Sequence, residues 1–561
     1  MKLAVVVQRY GADINGGAEL HARYVAEMLA RRHKVEVLTT CAHDYVTWKA
    51  HYAEGTETIN GVAVRRFPVA HERDPHDFGE RSRQVFERRH SIADELAWLD
   101  SEGPNSPALI DYIGQHADGF DFFLFFSYRY YHAYHGVRCV PHKAILVPTA
   151  ERDAALGLSI FGPVFRAARA LMYNSPEERA IIQAATGNTS VPGVVVGIGS
   201  DLPRETAPER FRRKYQVSGP FVIYVGRIDR NKGCAELFDY FSNYRPRLGQ
   251  QLSLILAGNS ILPIPAHPRI RHLGFISDRD KFDAIAASEA LMMPSRFESL
   301  SMVALEAWGL GRPVLANGRC DVLRGQTIRS RGGLYYDDFA EFAEALFTLT
   351  SNRPLHQAFG ENGRRFYERH YAWPVIQRKY EDMLGQLSRA NAAPAALEAL
   401  PGWLARRRRT LPPAQDVVEA IAKGPVAYDE PAPVNEPARV QSAPSPGPAP
   451  RPSPVAGRQA VRSGPHGRGP RPNGKRPERP GGGGGRPGQP GAHAGGTTGT
   501  TGNAGGGNPG GGNPGGGGPG AGGQGSPGKG GGGQKGSRDR QDGRRGQSRQ
   551  GRPRRPPRRN G

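Results

Sequence analysis

The sequence predicts an α/β protein of two doubly wound domains in series, followed by a disordered basic tail. Three observations carry this prediction. Short apolar runs alternate with helical periodicity from Leu3 to about residue 200, the same alternation restarts at Phe221, and the composition changes abruptly near residue 441. Alternating strand and helix patterns pack as mostly parallel sheets covered by helices on both faces. The segment 441–561 holds 41 of the 74 glycines and no Phe, Trp or Tyr, so it cannot bury enough apolar surface to offset chain entropy.

The elements follow in order. Leu3-Ala-Val-Val-Val7 is an apolar run of strand length, Gly11 to Gly17 is a polar loop, and Ala18 to Arg31 places apolar residues at helical spacing. Lys34 to Thr39 is the second strand, Phe122 to Phe126 and Ala144 to Val147 are further strands, and Gly193 to Gly197 is the last before the chain leaves the sheet. The second domain restarts with Phe221–Val225, Leu252–Ala257, Ala290–Met293 and Pro313–Ala316, with helices between. The expected boundaries are 1–200 and 201–370 for two Rossmann-like domains and 371–395 for a helix returning to the first. A basic helix and linker then span 396–440, and the tail 441–561. Ligands of such sheets bind beyond the carboxyl ends of the strands, so the cleft between the domains is the expected site.

Charge and cysteine usage narrow the function. The tail carries 21 Lys or Arg against Glu478, Asp539 and Asp542, a net +18 of the chain's +22, so the body is nearly balanced. Its glycines keep no three-residue period, which excludes collagen. Cys41, Cys139, Cys234 and Cys320 show no paired spacing, which supports neither a zinc site nor a disulfide framework and fits a reducing cytosol. No run reaches the roughly 20 apolar residues of a membrane span. The expected location is cytoplasmic, or peripheral at the inner membrane face. Leu397 to Arg409, with Arg406-Arg-Arg-Arg409, reads as a short basic helix that is either a solvated surface helix or an attachment to an anionic membrane surface.

Three loops carry chemistry. Asn15-Gly16-Gly17-Ala18-Glu19 joins a strand to a helix, where glycines admit a close ligand and free N–H groups favour an anion; a plain tight turn is the competing reading. Gly226-Arg227-Ile-Asp-Arg-Asn-Lys232-Gly233 puts two cations after the first strand of the second domain, where they could hold a diphosphate, or stand solvated. Glu298 and Glu306 are eight apart with apolar flanks. The first lies at a helix start, whose Ser299, Leu300 and Ser301 N–H groups would face an anion, and the second sits in the helix within reach of ribose hydroxyls.

In this order and spacing the three motifs, over residues 1 to about 390, resemble the retaining, nucleotide-sugar-dependent glycosyltransferases of family 4, which have the GT-B fold. Val194–Asp201 and Tyr371–Tyr380 resemble that family's domain crossing and returning helix. The resemblance implies that Arg227 and Lys232 contact the donor diphosphate, Glu306 the ribose, and Glu298 the donor sugar or its phosphates. Gly226, Ser299, Leu300 and Ser301 would complete the phosphate cradle, the backbone to Ile276 would line the base, and Gly16 and Gly17 would face phosphate or acceptor. It also implies transfer with retention, no cofactor and no metal, and a polysaccharide or glycolipid acceptor of the cell envelope. Asp278-Arg-Asp280 is read as a helix start rather than a metal site.

Two departures stand out. Ser301 occupies a position that is usually Gly, and Pro148–Asp153 lacks the His that many members direct at the transferred sugar. Glu151 or Asp153, or a nearby His such as His132 or His135, would take its place, or the sugar is held differently. Two other functions compete. The basic tail could bind RNA or another polyanion through its phosphates, and the same fold could serve a sugar-nucleotide phosphorylase or epimerase.

Overall fold

The structure is a computed structural model and describes residues 1–14, 16–247, 249, 251–390 and 409–426. The tail 441–561 and all of the expected basic helix except Arg409 lie outside these residues.

The first lobe is built on an eight-stranded sheet. Its strands are β1 (Lys2–Val6), β2 (Lys34–Thr40), β3 (Gly55–Ile59), β4 (Val62–Phe67), β5 (Phe122–Phe126), β6 (Ala144–Val147), β7 (Ala170–Tyr173) and β8 (Gly193–Val195). They lie in the order β3-β4-β2-β1-β5-β6-β7-β8, parallel except for the β3–β4 hairpin. The second lobe has six parallel strands in the order β11-β10-β9-β12-β13-β14. These are β9 (Phe221–Val225), β10 (Ser253–Ala257), β11 (Ile270–His272), β12 (Leu291–Met293), β13 (Val314–Asn317) and β14 (Gly333–Tyr336). Every residue of β5 and β6 is buried, as expected of parallel strands covered on both faces. A strand is expected around His272 to Ile276, before Asp278, and β11 is found slightly earlier, at Ile270–His272; β7, β14 and the β3–β4 hairpin are not expected from the sequence. Their short or polar-rich stretches have too weak a periodicity to stand out alone.

The chain leaves β8, enters the second lobe, and returns through the helix Trp373–Arg389. That helix docks on the first lobe through His33 and Glu381, 3.0 Å apart, and through Trp373 set edge-on to Tyr24. Trp373 also donates its indole N–H to Asp201 at 2.6 Å, which ties the returning helix to the crossing segment.

The linker expected over 396–440 differs from what is found. Residues 409–426 pack on the first lobe as a strap: Leu411 pairs with His90, and Ala414 and Val418 of the helix Ala414–Glu419 are buried. Proline and alanine richness had suggested a free segment, but the alternating apolar positions Leu411, Ala414 and Val418 suffice to seat it.

Candidate active site

Both sheets turn the carboxyl ends of their strands toward the cleft, and a cavity of about 950 Å³ lies there, between loops of the two lobes. From the second lobe, Arg227, Lys232, Glu298, Ser299 and Leu300 line it; from the first, Gly17, Glu19, Tyr130, Glu151 and Asp153. The strap adds Gln415, Glu419 and Lys423.

The cations of the second lobe are held by carboxylates. Lys232 Nζ lies 2.8 Å from Glu298 Oε1, and its backbone N–H donates to Asp229 at 2.7 Å. Burial opposes the Lys232 ammonium, but the charges of Glu298 and Glu151 outweigh it and raise its pKa. Gly233, at φ +71°, opens the helix Cys234–Asn243 in the left-handed region; a Cβ there would meet the Pro294 carbonyl at 2.0 Å. Arg227 pairs with Asp229 and also donates to the Tyr45 hydroxyl of the first lobe at 2.8 Å. The structure thus brings Arg227, Lys232 and Glu298 to one side of one cavity.

Glu306 sits behind that wall in the helix Met302–Gly309. Its Oε1 accepts from Ser200 and Lys281, each at 2.9 Å, while its buried Oε2 has no protein partner. A buried carboxylate oxygen without a donor is unstable unless a ligand supplies one. Ser301 behaves differently from the expected added phosphate ligand. It is the N-cap of this helix, with its hydroxyl accepting from Ala304 N–H and lying 3.7 Å from Met293 Sδ. Gly226, Ile276, Ser301 and Glu306 all lie outside the cavity lining. With Ala304 N–H taken by this cap, the N–H groups of Met302 and Val303 are the ones at the helix start without an intrahelical acceptor, and they can face an anion.

In the first lobe the helix after β1 starts at Gly17, with Gly16 as its cap. A side chain at Gly16 would strike the Glu19 carboxylate at 2.2 Å, which itself pairs with Arg9. Gly17 lines the cavity.

Among the four stand-ins considered for the missing histidine, the geometry separates one. His132 is fully buried and meets the Phe126 carbonyl at 2.8 Å; His135 is half-buried, and burial pushes both down to about 4. Neither lines the cavity. Asp153 is taken by Arg129 at 2.7 Å. Glu151 faces Lys232 and Glu298 across the cavity, and burial, with the charges of Glu298 and Asp153 against that of Lys232, pushes it up to about 7.

Several residues escaped the sequence reading. Glu178 is buried, accepts from Ala150 N–H at 2.6 Å and from Asn174 N–H, and is pushed up to about 8 by burial despite these bonds. Asn174 reaches across to the Ser299 hydroxyl at 3.4 Å. His21 and Gln8 line the cavity with buried polar atoms that lack protein partners, His21 Nε2 and Gln8 Oε1. Both stand one element away from the Gly16 loop, and only their polarity within apolar surroundings could have signalled them. Asp280 is bound by Lys214, Ser277 and Tyr215, and the helix cap is Ser277 rather than an aspartate. Among the described residues no group of acids, histidines or cysteines is arranged to hold a metal ion, and no helix is long and apolar enough to cross a membrane.

Comparison with known proteins shows what this chain is similar to. Residues 207–366 match the model described as glycosyl transferases group 1. The chain is 23% identical over 412 residues to a D-inositol 3-phosphate glycosyltransferase of Corynebacterium urealyticum, covering 68% of this chain and 93% of that one. It is 28% identical over 181 residues to the alpha-D-kanosaminyltransferase of Streptomyces kanamyceticus, spanning 29% of this chain and less than half, 45%, of that relative's length. Its fold matches sucrose-phosphate synthase of Thermosynechococcus elongatus, with a TM-score of 0.52 at 16% identity over 70% of this chain and all of that one. Anabaena HepE, solved with UDP and glucose, matches with a TM-score of 0.52 at 17% identity over 69% and 100%. The second lobe thus matches the group 1 glycosyl transferases, and the fold around both lobes is the one seen in these solved structures.

Proposed function

We propose that the chain transfers a sugar from a nucleotide diphosphate sugar to an acceptor hydroxyl with retention of configuration. The observation that carries this is the convergence, in one cavity, of the Lys232–Glu298 pair, Arg227 and Glu151, with the unpartnered Oε2 of Glu306 behind it. UDP in the HepE structure makes a nucleotide-sugar donor the natural ligand class.

The residues divide the work. Arg227, Lys232 and the free N–H groups from Ser299 onward take the diphosphate, and Glu306 accepts from the ribose. Glu298 steadies Lys232 and accepts from the donor sugar. As the bond from the anomeric carbon to the phosphate oxygen breaks, its electron pair passes to the diphosphate, whose growing charge falls on Arg227 and Lys232. The acceptor oxygen bonds to the anomeric carbon from the same face, and its proton goes to the departing phosphate oxygen. Preorganised charge of this kind supplies most of the rate in such reactions. Glu151, whose neutral form burial favours, faces the position we assign to the transferred sugar, where the absent histidine would stand. No metal is required for charge balance, and none is expected. The acceptor we expect is a cell-envelope polysaccharide or glycolipid.

The test is thermal stabilisation of the full chain by UDP, GDP and ADP. One nucleotide should raise the melting temperature, and Arg227→Ala with Lys232→Ala should abolish the rise. If none of the three stabilises the native chain, the donor assignment is wrong.

A further inference from the structure

The strap does more than cover the first lobe. Beyond its buried Ala414 and Val418, the segment 420–426 crosses to the second lobe, and Arg152 is the hub of that crossing. Its guanidinium donates to the carbonyls of Val418 at 3.2 Å, Ile421 at 3.1 Å and Ala422 at 2.8 Å. The same group pairs with Asp321, at the start of a second-lobe helix, at 3.0 Å. Asp321 in turn accepts from Gly424 N–H at 2.9 Å. Val426 N–H lies 3.4 Å from Glu177, which is itself paired with Arg329 of the second lobe.

Two physical points give this arrangement weight. Only the Val418 carbonyl belongs to the helix Ala414–Glu419, those of Ile421 and Ala422 follow it, and a planar guanidinium with five N–H groups can donate to all three while pairing with a carboxylate. Arg152 also directly follows Glu151, so whatever fixes its guanidinium fixes the loop that carries Glu151 into the cavity. Between the strap, the Arg296–Glu298 loop and the Glu177–Glu178 helix lies a second cavity of about 560 Å³. The strap therefore forms part of the wall of both cavities.

We propose that residues 409–426 belong to the catalytic body as an interlobe clasp, with Arg152 as the positioning residue that sets Glu151 opposite Lys232 and Glu298. The proposal rests on the reading of those three residues as the donor site. Seating of the strap and the angle between the lobes are then one event, and a chain ended before residue 409 loses both.

The fold supplies a variant that unseats the strap without touching the site. Gly157 packs beneath it, and an added Cβ would meet the Ala414 carbonyl at 2.0 Å, so Gly157→Ala must push the strap away. The full chain, with Cys139→Ser removing the exposed thiol and Gln115→Cys and Gln357→Cys carrying spin labels on opposite lobes, reports the interlobe distance. The native chain should give one narrow distribution. Gly157→Ala, Arg152→Ala and deletion of 409–426 should each broaden it, and Arg152→Lys, which keeps the Asp321 contact, should restore it in part. If the deletion variant keeps the native distribution, the clasp is refuted; should it fail to fold, Gly157→Ala and Arg152→Ala decide in the same way. Binding of UDP, GDP and ADP is measured on the same proteins. A native chain that binds none of them but broadens on strap removal defeats the donor reading and keeps the clasp, whereas nucleotide binding with unchanged distances does the reverse.

Discussion

The two lobes present their chemistry in different ways. In the second lobe the site residues sit in two short contiguous segments, 226–233 and 297–306, each placed where a strand gives way to a helix. In the first lobe the cavity wall is gathered from at least five separate segments, around Gln8, Gly17, Ser127–Tyr130, Glu151 and Asn174. The difference teaches where local chemistry suffices. A diphosphate needs cations and helix N–H groups, and one strand-loop-helix unit can supply both. Holding a sugar and an acceptor requires groups from many directions, and these converge only through tertiary packing.

Substitutions can break this comparison. The largest effect is expected for Lys232→Ala, which removes a donor to the leaving group and leaves Glu298 unpaired in the cavity. Loss of one such electrostatic donor costs about 10²–10³-fold in kcat. Steady-state transfer or donor hydrolysis checks it, and a change below tenfold would mean that the second-lobe loops are not the diphosphate site. Next comes Glu306→Gln, which loses a charged acceptor at the ribose position. A hydrogen bond to a charged group is worth about 1.5–3 kcal/mol, so donor KM should rise roughly 10- to 100-fold with kcat changed much less.

Glu151→Gln sharpens the first-lobe side. Because Glu151 is raised from 4.5 to about 7 in the folded chain, its neutral form is the one that folding favours. The unfolded chain ionises first as pH rises, so this group's contribution is full below pH 4.5 and is lost as pH rises through about 7. Glu151→Gln should therefore melt higher than the native chain at pH 8, with the gain fading toward pH 4.5, and it should lose the inflection near pH 7 in the rate profile. A melting temperature that responds to the substitution equally at pH 4.5 and pH 8 would show that Glu151 does not titrate in this range. The smallest effect belongs to Ser301→Gly. Its hydroxyl caps a helix, and glycine is a tolerable cap, so stability should fall by a few tenths of a kcal/mol while donor binding is unchanged. A large change in nucleotide affinity would return Ser301 to the phosphate cradle.

Much of this was legible beforehand, and the reasons differ by residue. That Arg227, Lys232 and Glu298 line one cavity was legible because each sits where a strand runs into a helix, at the carboxyl end of the same sheet, with Glu306 a short way down the second of those helices. Glu151 was one of four alternatives, since only the fold shows that His132 turns toward the Phe126 carbonyl and that Asp153 is spent on Arg129. Glu178 carries no local signal, and His21 and Gln8 carry only that of polar residues within apolar surroundings. Each is an ordinary residue of a helix or loop until burial removes its water.

By itself, the sequence determined two doubly wound lobes, because alternating apolar periods can be satisfied only by covered parallel strands, and it determined the cations and acids of the second-lobe loops that line the cavity. Tertiary structure alone decided which first-lobe carboxyl faces them, that Ser301 caps a helix, and that residues 409–426 clasp both lobes. These depend on contacts between segments far apart in the chain, such as Arg152 with Ala422 and Asp321, where the partner of a charge or a carbonyl is set by packing and not by neighbours in sequence.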